Sequence, residues 1–370
     1  MLQRLFRGAL VVAMSQATIS SQEPSITWRG ETTNLEALGA AVPNAVETIR
    51  SWAPFASESG YRIVVADDGH AVLILSGTYV RKHRKKEHRE VDIMLASMRK
   101  TSAIAQSFLP PPKPDGAPEL LICSRTEHYP KLLAHLASLD PRLKDWADSA
   151  GRVVAGFILS EPLVAAWIED PVGVEEWYSN NELVHRATQL MIRGRAGELP
   201  AWLLMGLAWH VEDAVCQSVY CFPYRNGFVS VGAHTDWGLW LANEFKKGRR
   251  DKANLSPTVQ LDEFAGWRPG AVSPEFDEGR AYISFGVARF LVHQHCAKVP
   301  GLAGRFDAAI QKGRVEWISA NEWTTNPDYQ VPVNEQGALL DEVDAEFLAK
   351  VTEFFQKKGA NERVAGKARR

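Results

Sequence analysis

The stretch NNELVHRATQLM carries Asn181, Glu182 and His185, whose types and spacing suit metal-assisted hydrolysis with one letter changed. Residues four apart on a helix share a face, so Asn181 and His185 project side by side and Glu182 lies next to them. Histidines at both positions would grip a zinc ion from adjacent turns, with the glutamate as general base on the zinc-bound water. Here the first of the two is asparagine. The pattern alone stays ambiguous. Leu183, Ala187 and Leu190 form an apolar stripe on the opposite side, so Asn181, His185, Thr188 and Gln189 equally describe the solvent face of an amphipathic helix.

The following segment, ELPAWLLMGLAWHVED, reads as a second helix entered through Leu199-Pro200. With it the pair of helices resembles zinc metallopeptidases of the gluzincin type, including the peptidase-MA-like bacterial proteins. In those, HExxH is followed by a helix of the form LPxWLxEGLAxYxE whose first Glu is the third zinc ligand. This chain keeps Leu199, Pro200, Trp202, Leu203, Gly206, Leu207, Ala208 and Glu212 of that pattern. Met205 stands at the ligand position, and His210 stands where Tyr is common. Nineteen residues lie between His185 and Met205, a spacing that lets two antiparallel helices bring three ligands together. A weaker likeness is DEGRAYISFGVARFLVHQ from Asp277, similar to a downstream helix of the family that contains a tyrosine, here Tyr282. The likeness spans roughly residues 60 to 355, and its two-helix core is the diagnostic part.

The resemblance implies metal-ligand positions at Asn181, His185 and Met205, a vestigial general base at Glu182, and catalytic positions at His210 and Tyr282. Catalytic zinc takes three protein ligands from imidazole and carboxylate, with water in the fourth place. Of these only His185 remains; an asparagine carbonyl is a poor donor, and a methionine thioether suits Cu(I) better than zinc. The expectation is therefore a non-catalytic, peptidase-like protein without a cofactor, whose cleft binds a peptide or protein. The alternative is an active zinc hydrolase with an atypical ligand set around Glu182 and His185. Restoring both letters, Asn181→His with Met205→Glu, is expected to restore zinc binding. His210 lies five residues past Met205, about 140° around the helix, so it points away from the ligand face.

Other candidates carry less. His293 and His295 are two apart and fall on different helix faces. His234 and Asp236 sit where a helix cap explains them. Of the twelve tryptophans, Trp237, Trp240, Trp267, Trp317 and Trp323 suit either a groove or the core, and burial is the commoner use of such rings. No GxSxG elbow, Walker loop or GxGxxG occurs.

The elements that must hold this site fall into two halves. YRIVVADDGHAVLIL reads as a hairpin turning at Asp67-Asp68-Gly69, 81–108 as a helix with a charged, solvated start, and Leu120–Cys123 as a strand. Tyr129–Ser138 reads as a helix, and VVAGFILS and LVAAWI as strands joined at Glu161-Pro162. Helical periods then cover 175–193, 200–216, 234–247, 279–298, 302–312 and 337–357. The fold class is α+β: an N-terminal mixed α/β layer, 61–172, followed by a mainly helical subdomain, 173–358. Residues 1–20 combine Arg4 and Arg7 with an apolar run and read as a signal peptide, 21–60 as a loosely structured leader with one short helix near Leu35–Ala41, and 359–370 as a basic tail.

The 370 residues are 45% hydrophobic and carry 42 Lys plus Arg against 44 Asp plus Glu. A net charge of -2 offers no global attraction to nucleic acid or an acidic membrane surface. No run after the signal reaches the roughly 18 apolar residues of a membrane-spanning helix, and export places the mature chain in an extracytoplasmic compartment. Cys123, Cys216, Cys221 and Cys296 form no CxxC pair. A Cys216–Cys221 bridge across a helix end and four free thiols satisfy the sequence equally.

Overall fold

The computed structural model describes residues 24–76, 84–153, 156–169 and 179–221 (115, 198 and 200 excepted), together with 237–239, 241, 278–296 and 353–354. Among these, the elements in chain order are β1 (Ile26–Trp28), β2 (Glu31–Thr33), α1 (Leu35–Ala41), α2 (Pro43–Ser59), β3 (Arg62–Val65) and β4 (Ala71–Leu75). There follow α3 (Arg84–Ala105), β5 (Glu119–Ser124), α4 (Tyr129–Leu139), α5 (Lys144–Asp148), α6 (Ala150–Val153), β6 (Gly156–Leu159) and β7 (Val164–Ile168). The helices α7 (Ser179–Ala196), α8 (Ala201–Cys216) and α9 (Glu278–Cys296) follow, and a short 3-10 turn, Pro141–Leu143, lies between α4 and α5.

A seven-stranded mixed sheet, ordered β2-β1-β3-β4-β5-β7-β6, carries helices on both faces, which makes the fold α+β. The hairpin at Asp67-Gly69 forms β3 and β4 antiparallel, with Val64 opposite Leu73. β4, β5 and β7 run parallel to one another, and β6 returns antiparallel on β7 at the edge. Side chains alternate across these strands. Ile63, Val65, Val72, Ile74, Leu120 and Ile122 join a core under α1, α2 and α4, whereas Val64, Leu73, Leu75, Leu121, Ala165 and Trp167 join a second core under α3, α7, α8 and α9. That second core thus unites residues of the 61–172 segment with those of the helical segment.

Residues 24–59 are not a loose leader. β1 pairs parallel with β3, and α2 runs for 17 residues, burying Ala45, Ile49, Trp52, Phe55 and Ala56 against the sheet. Those positions keep a helical period that a Ser-, Thr- and Pro-rich composition masks. Pro43 at the first turn and Gly60 at φ 67° after the last are start and stop signals of a complete helix. The expected signal peptide, the helix at 302–312, all of 337–357 but the helical residues 353–354, most of 234–247 and the basic tail lie outside the described residues. Among the described residues no helix is long and apolar enough to cross a membrane.

α7 lies on the sheet, over β5, β7 and β6, and α8 lies between α7 and α9. Polar ties fix α7 at its middle and its end. Midway along it, Arg186 reaches the Phe157 carbonyl of β6 at 3.4 Å; near its finish, Arg195 donates to Glu119 at the start of β5, 3.1 Å away. Gly156 makes room for the first tie, because a Cβ there would meet Arg186 Nη2 at 2.6 Å. Burial pushes the Glu119 carboxyl up from its ordinary 4.5 to about 7, against the opposing pull of Arg195.

A Cβ on Gly206 would meet the Ser284 carbonyl oxygen at 2.3 Å, so Gly206→Ala must force α8 and α9 apart. The expected loss is ~1–3 kcal/mol in urea unfolding, as for other overpacked interiors. For Glu119, the folded chain holds a proton between pH 4.5 and about 7 that the unfolded chain has released. Its contribution therefore falls as pH rises through that window and is level above it. Glu119→Gln is expected to flatten that part of the stability–pH profile, and an unchanged slope would count against the assignment.

Candidate functional site

The polar side of α7 does not face solvent. Asn181, His185, Thr188 and Gln189 are all buried, at 5% exposure or less, because the sheet covers one side of the helix and α8 the other. α8 is buried on every side from Leu203 to Asp213. Its sequence reads as apolar almost all round, the mark of an internal helix. Polar groups enclosed in this way must find partners inside the protein.

They find them around Glu212, which is completely buried. Its Oε1 accepts from Asn181 Nδ2 at 2.8 Å and from the backbone N–H groups of Tyr220 and Cys221 at 2.6 and 3.2 Å. Its Oε2 meets His185 Nδ1 at 3.0 Å. Asn181 Nδ2 also lies 3.2 Å from both the carbonyl and the hydroxyl oxygen of Ser218. The chain after α8 folds back to supply these groups. Gln217 turns it with φ 61°, and Trp209 Nε1 ties it down by donating to the Cys221 carbonyl at 2.6 Å.

α7 and α8 are antiparallel, so contacts step in opposite directions along them: Asn181 meets Glu212, His185 meets Glu212 and the Trp209 ring, and Gln189 meets Met205. Gln189 Nε2 lies 2.9 Å from His185 Nε2 and 2.8 Å from Met205 Sδ. The two N–H groups of one carboxamide thus serve two acceptors. A single tautomer satisfies the histidine: Nδ1–H donates to the Glu212 carboxylate, and Nε2 accepts from Gln189.

The remaining expected positions separate from this group. Glu182 is buried and accepts from Arg186 Nε at 2.9 Å, an ion pair one turn along α7 that draws its carboxylate toward β6. His210 lies against Phe285 of α9, ring centroids 6.5 Å apart, and neither ring nitrogen has a hydrogen-bond partner among the described residues. Burial, reinforced by Arg289 and His293, lowers its pKa to about 3, which favours the neutral ring at physiological pH. Tyr282 falls within α9, and its side chain lies outside the described residues. Trp237 is a core residue, packed on Trp209 and Phe285. Cys216 and Cys221 are free thiols.

The sequence pattern alone gives no site role to Glu212 or Gln189, and offers Cys221 only as a candidate partner of Cys216. Two spacings hold the missing signal: Gln189 is four residues past His185, and Glu212 is seven past Met205, two turns along one face.

Zinc, the metal that the family resemblance implies, does not fit the positions at 181, 185 and 205. Asn181 presents its amide nitrogen to a carboxylate, Met205 offers a thioether, and both ring nitrogens of His185 are already hydrogen-bonded. A different trio, His185, Glu212 and Cys221, places one donor atom each within 4.8 Å of one another. To coordinate through it, Glu212 and His185 would have to give up their mutual hydrogen bond.

Glu212→Ala would leave His185 Nδ1–H and the backbone N–H groups of Tyr220 and Cys221 without this acceptor, and is expected to cost ~3–5 kcal/mol in urea unfolding, since each buried donor left unpaired costs about 1–3 kcal/mol. Glu212→Gln keeps the shape and is expected to lose less. A change below ~1 kcal/mol for the alanine variant would contradict the role given to this carboxylate. Comparison of the chain with protein-family models, with curated proteins and with solved structures finds no match.

Proposed function

We propose that this chain is an exported, metallopeptidase-like protein that has lost catalysis and acts by binding a peptide or protein partner. The observation that carries the reading is the pair of hydrogen bonds from Asn181 Nδ2 and His185 Nδ1 to the two oxygens of Glu212. A metal-ligating histidine commonly turns its other ring N–H to a carboxylate, which fixes the ring and leaves the second nitrogen for the metal. Glu212 serves both ligand positions in that manner. The asparagine amide reproduces the N–H that a histidine Nδ1 would present, and it lacks the second nitrogen that would hold zinc. The orienting shell thus supports descent from a zinc site, and the changed ligands support its loss.

Glu182 agrees with this reading. Its carboxylate is engaged by Arg186, and without a polarised water it has nothing to deprotonate. The arginine clamp instead ties α7 to the edge strand. A peptide or protein ligand is the partner class that a former peptidase cleft suits; the charge balance gives no support to nucleic acid.

The trio His185, Glu212 and Cys221 favours a second reading, an active zinc hydrolase with an unusual ligand set. Elemental analysis of protein purified without chelator separates the two. The proposal expects far less than one equivalent of zinc and no zinc-stimulated peptide hydrolysis. One equivalent of zinc that is lost in Cys221→Ser would overturn it in favour of the second reading.

A further inference from the structure

The side chain of Gln189 sits between His185 of α7 and Met205 of α8. Three observations converge on this. With Nδ1 of His185 turned to Glu212, Nε2 is the nitrogen left for a metal, and it is this atom that Gln189 Nε2 approaches at 2.9 Å. The same amide nitrogen lies 2.8 Å from Met205 Sδ, the atom at the third ligand position of the family pattern. All three side chains are buried, at 5% exposure or less.

We infer that Gln189 is a built-in replacement for the metal: one carboxamide whose two N–H groups bridge the histidine of α7 and the thioether of α8, as a cation would bridge two ligands. This deepens the non-catalytic reading and rests on it. The donor types are matched. A cation and an N–H group both offer positive charge to a lone pair, so His185 Nε2 and Met205 Sδ keep a partner with no metal present. Met205 belongs to the same exchange, because a carboxylate there would welcome a metal, whereas a thioether is content with a weak N–H contact. Gln189 therefore competes with zinc at these positions, and restoring the two altered ligands alone gives weaker zinc binding than restoring them with Gln189 removed.

Zinc titration against a competing chelator tests this, with cobalt spectra to report the coordination. The variants are Asn181→His/Met205→Glu and the same pair with Gln189→Ala added. The triple variant is expected to bind one zinc about 30-fold or more tighter than the double, the equivalent of ~2 kcal/mol for two displaced hydrogen bonds. A triple variant that is unfolded alone and folds on adding zinc gives the same answer, since binding then drives folding. Equal zinc affinity in the double and triple variants would overturn the role of Gln189 and leave the non-catalytic reading standing. Absence of zinc binding in both, or a triple variant that stays unfolded with zinc, would overturn both together.

Discussion

A carboxylate sealed from water must have its lone pairs met by the protein, and the centre of this molecule is arranged to meet those of Glu212. Four donors converge on it, two from side chains of α7 and two from the backbone beyond α8. To bring them there, α7 must turn its polar stripe inward, and the chain must reverse at Gln217 and lie back along α8. Trp209 secures that reversal from below through the Cys221 carbonyl. Desolvating a carboxylate is costly, and only a full set of donors offsets it.

The surrounding scaffold keeps those donors in place. α7 is flanked by the sheet and by α8, and its arginines anchor it to the sheet: Arg186 to the Phe157 carbonyl, Arg193 to the Ser160 hydroxyl at 3.1 Å, and Arg195 to Glu119. α9 closes the far side of α8 through the close approach at Gly206 and an ion pair from Arg289 to Asp213 at 3.2 Å. A helix fixed on all sides has little freedom to admit a ligand that its side chains do not already suit. The energetic link between fold and function is therefore direct: the hydrogen bonds that hold α7 to α8 also occupy the donors that chemistry would need.

Much of this architecture was legible in the sequence. The hairpin, the strands at Leu120 and around Glu161-Pro162, and the helices after 179 and 201 follow from periodicity and turn chemistry. α2 was not legible, because a composition rich in small polar residues hid a helical repeat of Ala45, Ile49, Trp52 and Ala56. Burial of the α7 polar face could not be told from solvent exposure either; spacing fixes which residues share a face and not what covers it. His210 shows the reverse. Its angular distance from Met205 placed it off the ligand face, and it does pack on α9 instead. Gln189 belongs to no motif and Glu212 stands in the second-helix pattern without a stated role, so what each does emerges only when two helices are set side by side in register.

The protein itself satisfies both nitrogens of His185: Nδ1–H donates a hydrogen bond to Glu212, and Nε2 accepts one from Gln189. Nitrogen NMR of the His185 ring in isotope-labelled protein at neutral pH tests this arrangement. The expected result is a neutral ring with the proton on Nδ1 and an unprotonated, hydrogen-bonded Nε2. A proton on Nε2 with Nδ1 bare, or coupling of either nitrogen to an added cadmium ion, would contradict it.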